Sequence, residues 1–296
     1  GCGFLSLLCA KAGAKAVYAI DDTDIVSMAR DIVTRNHLEN VIQVFKVDDI
    51  TKTQLPEKNV DIIVSDWMGY FLFLRSRVEM LIAARDRWLG PSGRMFPDQA
   101  TLHICGMEDE VFKDERVNFW ENVSGFDMSP MKSLALREPV IDAINVRHVV
   151  TTSVAVKHVD MMSLTVEDIP FESTFQLRAE RNDFCHAFVA YFDVIFSHGH
   201  KLFEFSTGPF APPTQWRQTL MYLEEPITVN AGEEITCTLS CSRIASRGEP
   251  SSLPSAEVAK DTTVRQKGVG LLIEYGINFK GKDCRMETEQ IFIMRE

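Results

Sequence analysis

The first hundred positions alternate between two periods. Phe4–Ala12 is an apolar run of helical composition, and Gly13 supplies a helix stop. Ala16–Ile20 reads as a buried strand ending in Asp21 and Asp22. Asp24 is placed to cap a helix that carries Ile25, Met28, Ala29, Ile32 and Val33 on one face. Val41–Phe45 and Val60–Ser65 read as further strands, the second apolar enough to predict a central parallel strand. Val78–Leu89 is amphipathic and is closed by Gly90-Pro91. Strand and helix in alternation predict a Rossmann-like, doubly wound α/β domain over residues 1–97.

After Phe96-Pro97 the pattern changes to short runs rich in Thr, Val and aromatic residues. These are Thr101–Cys105, Val149–Val156, Phe175–Ala179, Ala187–Phe196, Trp216–Leu223, Ile235–Cys241, Gly268–Ile277 and Gln290–Met294. Turn signals such as His198-Gly199 and Ala231-Gly232 separate them, so residues 98–296 predict an all-β, barrel-like domain. An aromatic, Met-rich helical stretch interrupts it at about 108–141. The polar stretch of about 242–266 reads as a long mobile loop.

Composition narrows the class. With 296 residues and 45% hydrophobic content the chain has enough material for two cores. No apolar run reaches the roughly 18 residues of a membrane span. The chain has no opening Met and starts abruptly at Gly1, which suggests that residues precede it. A net charge of −11 argues against direct nucleic-acid binding and suits a cationic partner. The seven cysteines, Cys2, Cys9, Cys105, Cys185, Cys237, Cys241 and Cys284, form no C-x-x-C pair. They read as reduced thiols of a cytosolic or nuclear protein, here placed in the cytoplasm, with no metal site.

Gly1-Cys2-Gly3 before a helix, with an acid after the next strand, is a fragment of a nucleotide-type glycine loop. The more specific stretch is Val60–Tyr70, V-D-I-I-V-S-D-W-M-G-Y. It resembles the strand and loop of the type I protein arginine N-methyltransferases. Ala10–Ala14, Arg85–Leu89, Phe96-Pro97-Asp98, Trp120–Ser129, Arg181-Asn182-Asp183 and Phe279-Lys280-Gly281 agree with that pattern. The resemblance implies an S-adenosylmethionine-binding domain, a β-barrel and a helical dimerisation arm.

Departures from the family pattern shape the functional expectation. Where family members use two Glu side chains to hold the substrate guanidinium, this chain has Asp66 and Arg75. Two carboxylates fix a planar, permanently charged fork. Asp66 is one methylene short, and a misplacement of about 1 Å near the chemistry can cost ~100-fold. Exchanging attraction for repulsion at Arg75 amounts to something on the order of 8 kcal/mol at an effective dielectric near 20. Gln215 stands where the family has a His, and Arg77 aligns with a Met beside the substrate. On the cofactor side, Gly1 and Gly3 match the end of the family's loop, Asp21 the ribose-binding acid, and Asp48 an acid near the adenine.

Phe119, Trp120, Val123, Phe126 and Met128 are apolar enough to require a partner, and the resemblance makes them the dimer interface. Together these features predict an inactive paralogue, most like the prozyme subunit of the kinetoplastid enzyme. Such a chain binds no cofactor itself. It activates a paralogue that uses S-adenosylmethionine to methylate Gly/Arg-rich proteins, in a heterodimer or higher hetero-oligomer, away from membranes. Two alternatives compete: an active methyltransferase of altered specificity using Asp66 and Glu79, and a scaffold for arginine-rich RNA-binding proteins.

Overall fold

The computed structural model describes residues 1–50, 52–244 and 270–295. They form two compact units: Gly1–Trp67 with Val78–Asp98, and Met68–Arg77 with the chain from Gln99 onward.

In the first unit, α1 (Phe4–Lys11) leads to β1 (Val17–Asp21), α2 (Val26–Arg35), β2 (Ile42–Lys46), β3 (Val60–Val64), α3 (Val78–Trp88) and β4 (Leu89–Phe96). β1 pairs parallel to β2, and β3 parallel to β4. Parallel neighbours joined through helices give the Rossmann-like arrangement that the alternating pattern predicts. α2 buries Val26, Ala29 and Val33, but leaves Ile25 and Met28 exposed. Asp24 does not cap this helix. Ile25 occupies the cap without a side-chain bond, and the Asp24 carboxylate accepts from Lys46 at 2.6 Å. β3 is not the buried central strand expected, because Ile62 and Val64 are 54% and 40% exposed. α3 ends at Trp88, just before Gly90-Pro91 as expected, and the chain passes directly into β4.

The second unit contains β5 (Gln99–Met107), α4 (Glu110–Arg116), α5 (Lys132–Arg137), β6 (Val140–Asp142), β7 (Val154–Asp160) and β8 (Phe171–Arg178). β9 (Asp183–Phe196), β10 (Phe203–Ser206), β11 (Gln218–Val229), β12 (Glu234–Ile244), β13 (Gly270–Lys280) and β14 (Arg285–Met294) complete it. A six-stranded sheet runs β6-β11-β9-β5-β7 with β10 beside β9, and a four-stranded sheet runs β14-β13-β12-β8. The two sheets form a barrel-like pair rather than a closed hydrogen-bonded ring among the described residues. Alternation drives this. β8 buries Phe171, Phe175 and Leu177 while Glu172, Gln176 and Arg178 face out. Between the sheets, Phe188 stacks on Tyr275 at 5.2 Å, and Tyr275 meets Phe292 edge-on at 6.1 Å. Cys105, Cys185, Cys237 and Cys241 lie buried in this unit, and burial pushes the Cys105, Cys185 and Cys241 thiols up to about 12. They are therefore poor nucleophiles.

Residues 149–153 make only isolated bridges, so the strand expected from Val149 starts at Val154. Ser242–Ile244, expected in the mobile loop, completes β12; the rest of that loop lies outside the described residues. Among the described residues, no helix is long and apolar enough to cross a membrane, and no group of three His, Cys, Asp or Glu could hold a metal.

The stretch expected to be a helical arm contains two short helices joined by 3₁₀ turns. Its root is tightly fixed. Asp109 caps α4 through the Phe112 amide and accepts the Tyr222 hydroxyl at 2.6 Å, while Phe112 stacks on Tyr222 at 4.4 Å. The Asp109 amide donates to His186 Nδ1 at 3.2 Å, and buried Lys113 donates to the Glu224 carbonyl. Burial lowers the His186 pKa from 6.5; Lys113 adds to this, against Glu108, Glu110 and Asp109. A depressed histidine makes the unfolded chain the better proton binder, so its contribution to stability is lost as pH falls below about 6.5. Thermal melts should show stability falling from pH 7 to pH 5.5. His186→Gln, whose carbonyl accepts the same amide, should flatten that slope; an unchanged slope would remove His186 from the account.

Candidate active site

The cofactor side is assembled within the first unit. Gly3 sits at φ 88° before α1, a left-handed conformation that glycine adopts without strain. A Cβ there would lie 3.5 Å from the Cβ of Ala29, so the turn is also packed closely against α2. No side chain caps α1, which leaves its first amides directed past the turn. Asp21 ends β1 and is 5% exposed. Its Oδ1 accepts from the Thr23 amide at 2.9 Å and the Thr23 hydroxyl at 2.5 Å. Partial burial raises the carboxyl's pKa, and the bonds from Thr23 lower it. Thr23 thus orients the carboxylate at the end of β1, in the same unit as the glycine turn. Asp48 is exposed just past β2, the parallel neighbour of β1. Acids beyond the carboxyl ends of parallel strands, beside a glycine turn, fit a nucleoside-bearing cofactor.

On the acceptor side, the Ser65 amide donates to the Phe96 carbonyl at 3.1 Å and prolongs the β3–β4 pairing. Trp67 is fully buried, with its indole N–H on the Pro97 carbonyl at 3.4 Å. Between these anchors Asp66 is exposed. Glu79, in the first turn of α3, is a second exposed carboxylate of the same unit.

The expected pocket of Asp66, Arg75, Arg77 and Gln215 divides between units. Asp66 belongs to the first, and the other three belong to the second. There, the Trp216 indole N–H donates to the Met68 carbonyl at 2.9 Å, tying the Thr214-Gln215-Trp216 loop to the Met68–Arg77 segment. That segment is a tight knot. Gly69 donates to the Leu72 carbonyl and Leu74 to the Tyr70 carbonyl, at 2.9 and 2.8 Å. Phe71, Leu72 and Arg75 have φ of 47°, 64° and 55°, left-handed values that side chains rarely adopt. Buried Phe71, Leu72, Phe73 and Leu74 hold them there, with Phe73 6.3 Å from the Phe171 ring. Arg75 itself is exposed and Gln215 is exposed, whereas Arg77 is half-buried.

Sequence reasoning missed Thr23, which orients Asp21, and Gly69, on which the knot depends. The signal for Gly69 was a glycine followed, one residue on, by four consecutive large apolar residues that fit neither period. In the arm, Phe119, Phe126 and Met128 are exposed by 49%, 73% and 40%, while Trp120 and Val123 are half-buried. Trp120 rests edge-on against Phe119 at 5.4 Å.

Residues 98–252 match the family model of the arginine methyltransferase oligomerization subdomain, and residues 1–91 match that of the ribosomal protein L11 methyltransferase. The chain is 47% identical over 235 residues to protein arginine N-methyltransferase 8-B of Danio rerio, covering 79% of this chain and 56% of that protein. It is 40% identical to protein arginine N-methyltransferase 1.1 of Arabidopsis thaliana, covering 100% of this chain and 70% of that protein. The solved Trypanosoma brucei PRMT1 enzyme–prozyme heterotetrameric complex with AdoHcy contains a similar chain. It has 35% identity and a TM-score of 0.87, over 100% of this chain and 86% of that one. The curated relatives compared are longer, and the chain spans between 56% and 71% of their lengths.

These relatives overturn the expectation of a chain with no activity of its own, because proteins 40–47% identical over most of its length are named as methyltransferases. The physical reason lies at Arg75. The repulsion expected there used an effective dielectric near 20, but Arg75 is exposed to solvent. In water the same pair at about 4 Å interacts by only about 1 kcal/mol, and salt reduces it further. The match to the oligomerization subdomain over half of the chain, a relative 40% identical along the whole chain and a fold shared end to end make this chain a member of the protein arginine N-methyltransferase family.

Proposed function

We propose that the chain is an S-adenosylmethionine-dependent arginine methyltransferase of altered specificity that works in an oligomeric assembly. One observation carries the reading: two exposed carboxylates, Asp66 and Glu79, belong to the same compact unit as the Gly3 turn and the oriented Asp21.

Gly1 and Gly3 would let the backbone approach the cofactor, Asp21 would hold its ribose hydroxyls, and Asp48 would lie toward its base. Bound S-adenosylmethionine supplies an electrophilic methyl group. Asp66 accepts hydrogen bonds from the guanidinium and orients one nitrogen for attack, and Glu79 provides the second acceptor for a fork with five donors. One carboxylate takes the proton that the nitrogen loses as the new bond forms. Asp66 is a methylene shorter than the family's Glu and Arg75 replaces the other, so the preferred arginine context should differ from that of relatives with both.

The similar trypanosomal chain belongs to a heterotetramer, and the exposed arm residues Phe119, Phe126 and Met128 support assembly with a paralogue or a second copy. The reading is tested by methyl transfer to an arginine peptide. Asp66→Asn should lower turnover by roughly 100-fold or more, as misplaced or uncharged acceptors do. Glu79→Gln should lower it less, and neither change should alter cofactor affinity in calorimetry. Turnover indifferent to both would remove them from the site.

A further inference from the structure

The arm leaves the sheet through a joint built around two histidines. β5 ends at Met107, and Glu108 and Asp109 carry the chain into α4. Each of these two residues meets a histidine from elsewhere in the unit. His148 Nδ1 lies 3.1 Å from the Glu108 carbonyl oxygen and 3.2 Å from its carboxylate. His186, buried on β9, accepts the Asp109 amide on Nδ1 at 3.2 Å. The β9–β11 pairing slips between Tyr222 and Ile227, opposite the Cys185–Ala187 step that contains His186. At that bulge the Glu224 carbonyl accepts from buried Lys113 of α4 at 2.8 Å. Charges therefore face His186 from the joint, Glu108 and Asp109, and from α4, Glu110 and Lys113. Glu224 and Glu225 of the bulge act on Lys113. The Tyr222 hydroxyl, held on Asp109, is kept neutral by burial.

We infer that protonation of His186 opens the root of the arm, so that assembly through the arm weakens as pH falls below neutrality. The inference rests on the reading of the arm as the assembly surface. Geometry sets its direction. A ring nitrogen accepts an amide only through its lone pair, so the neutral ring carries its proton on Nε2. A second proton must go to Nδ1, where it points at the Asp109 N–H. Two donors then face each other, and a buried amide loses its acceptor. Asp109 also caps α4 through the Phe112 amide and accepts the Tyr222 hydroxyl, so displacing it disturbs the start of the arm. His148 opposes this weakly. Its Nδ1 already faces two acceptor oxygens, which suit a protonated ring, but it is exposed and screened by solvent. Burial and Lys113 hold the closed-root His186 below 6.5, whereas in an open root it titrates near 6.5. The open root thus gains protons first as pH falls. Its share rises by up to about tenfold per arm between pH 7.5 and pH 5.5.

The test uses the whole chain between about pH 7.5 and pH 5.5, with two readouts. Sedimentation velocity reads assembly with a second copy. Hydrogen exchange, corrected for the intrinsic pH dependence of amide exchange, reads residues 109–137. In wild type the low-pH sample should dissociate, and its arm amides should exchange up to about tenfold faster while β13 stays protected. His186→Gln, whose carbonyl accepts the same amide without titrating, should hold both readouts level. Glu110→Gln, an exposed change that removes a carboxylate favouring the protonated ring, should move the transition roughly 0.3 pH unit lower. Arm exchange with the same pH dependence in wild type and His186→Gln overturns the inference. So does a Glu110→Gln transition that stays in place or moves upward, a result that holds even if His186→Gln fails to fold. Dissociation at low pH with the arm still protected also overturns it, because the titrating group would then lie elsewhere. If the chain is a monomer at every pH yet its arm opens as described, the assembly reading fails and the proton-sensitive root stands.

Discussion

Gly69→Ala should lower the melting temperature of the second unit by several degrees and abolish any methyl transfer. A Cβ at this position would lie 1.8 Å from the Leu74 carbonyl oxygen and 2.8 Å from the Leu74 carbon and the Ser76 nitrogen. All three are backbone atoms, so no side-chain rotation relieves the clash. The knot must open, and opening it breaks the Gly69–Leu72 and Tyr70–Leu74 hydrogen bonds that hold Phe71 and Leu72 left-handed. Overpacking of this kind costs on the order of 3 kcal/mol. In a unit of this size that corresponds to roughly 6–12 °C. Gly125→Ala is the control: Gly125 is left-handed, at φ 89°, and has nothing within 4 Å of a new Cβ. It should cost about 1 kcal/mol. Equal melting shifts for the two variants would mean that Gly69 is not sterically required.

The second large effect concerns assembly. Replacing Trp120 and Phe126 with Ala should weaken association by roughly three decades, because truncating a buried interface aromatic often costs ~2 kcal/mol or more. The fold should survive, since Phe126 is 73% exposed and buries nothing in this chain's own core. The arm's root is held separately, by the Phe112–Tyr222 stack and the Lys113 bond to Glu224. Analytical ultracentrifugation of the variant reads the first effect and circular dichroism the second. A folded variant of unchanged mass would move the interface to another surface.

The legibility of the structure followed its periodicity. β8 and β13 alternate, and their buried faces could be read residue by residue. Val60–Val64 could not, because a nearly unbroken apolar run does not reveal whether neighbours cover it, and here Ile62 and Val64 are open. Asp24 carried a capping signal, but an opposite charge at Lys46 offered its carboxylate a better partner. The largest misreading concerned Met68–Arg77. Its charges were visible in the sequence, and they predicted a pocket hostile to a guanidinium. Nothing in the sequence showed that the segment belongs to the second unit, or that its left-handed residues leave Arg75 in solvent. The sign of a charge is written in the sequence, but its strength depends on burial, which long-range packing decides.

Methyl transfer by the purified chain alone is the most direct test of whether it carries the chemistry itself. Labelled S-adenosylmethionine and an arginine-rich peptide should yield methylated peptide, confirmed by mass, with the product lost on Asp66→Asn. Absence of product from the folded, cofactor-saturated chain, with product appearing only when a paralogue with intact acids is added, would contradict it.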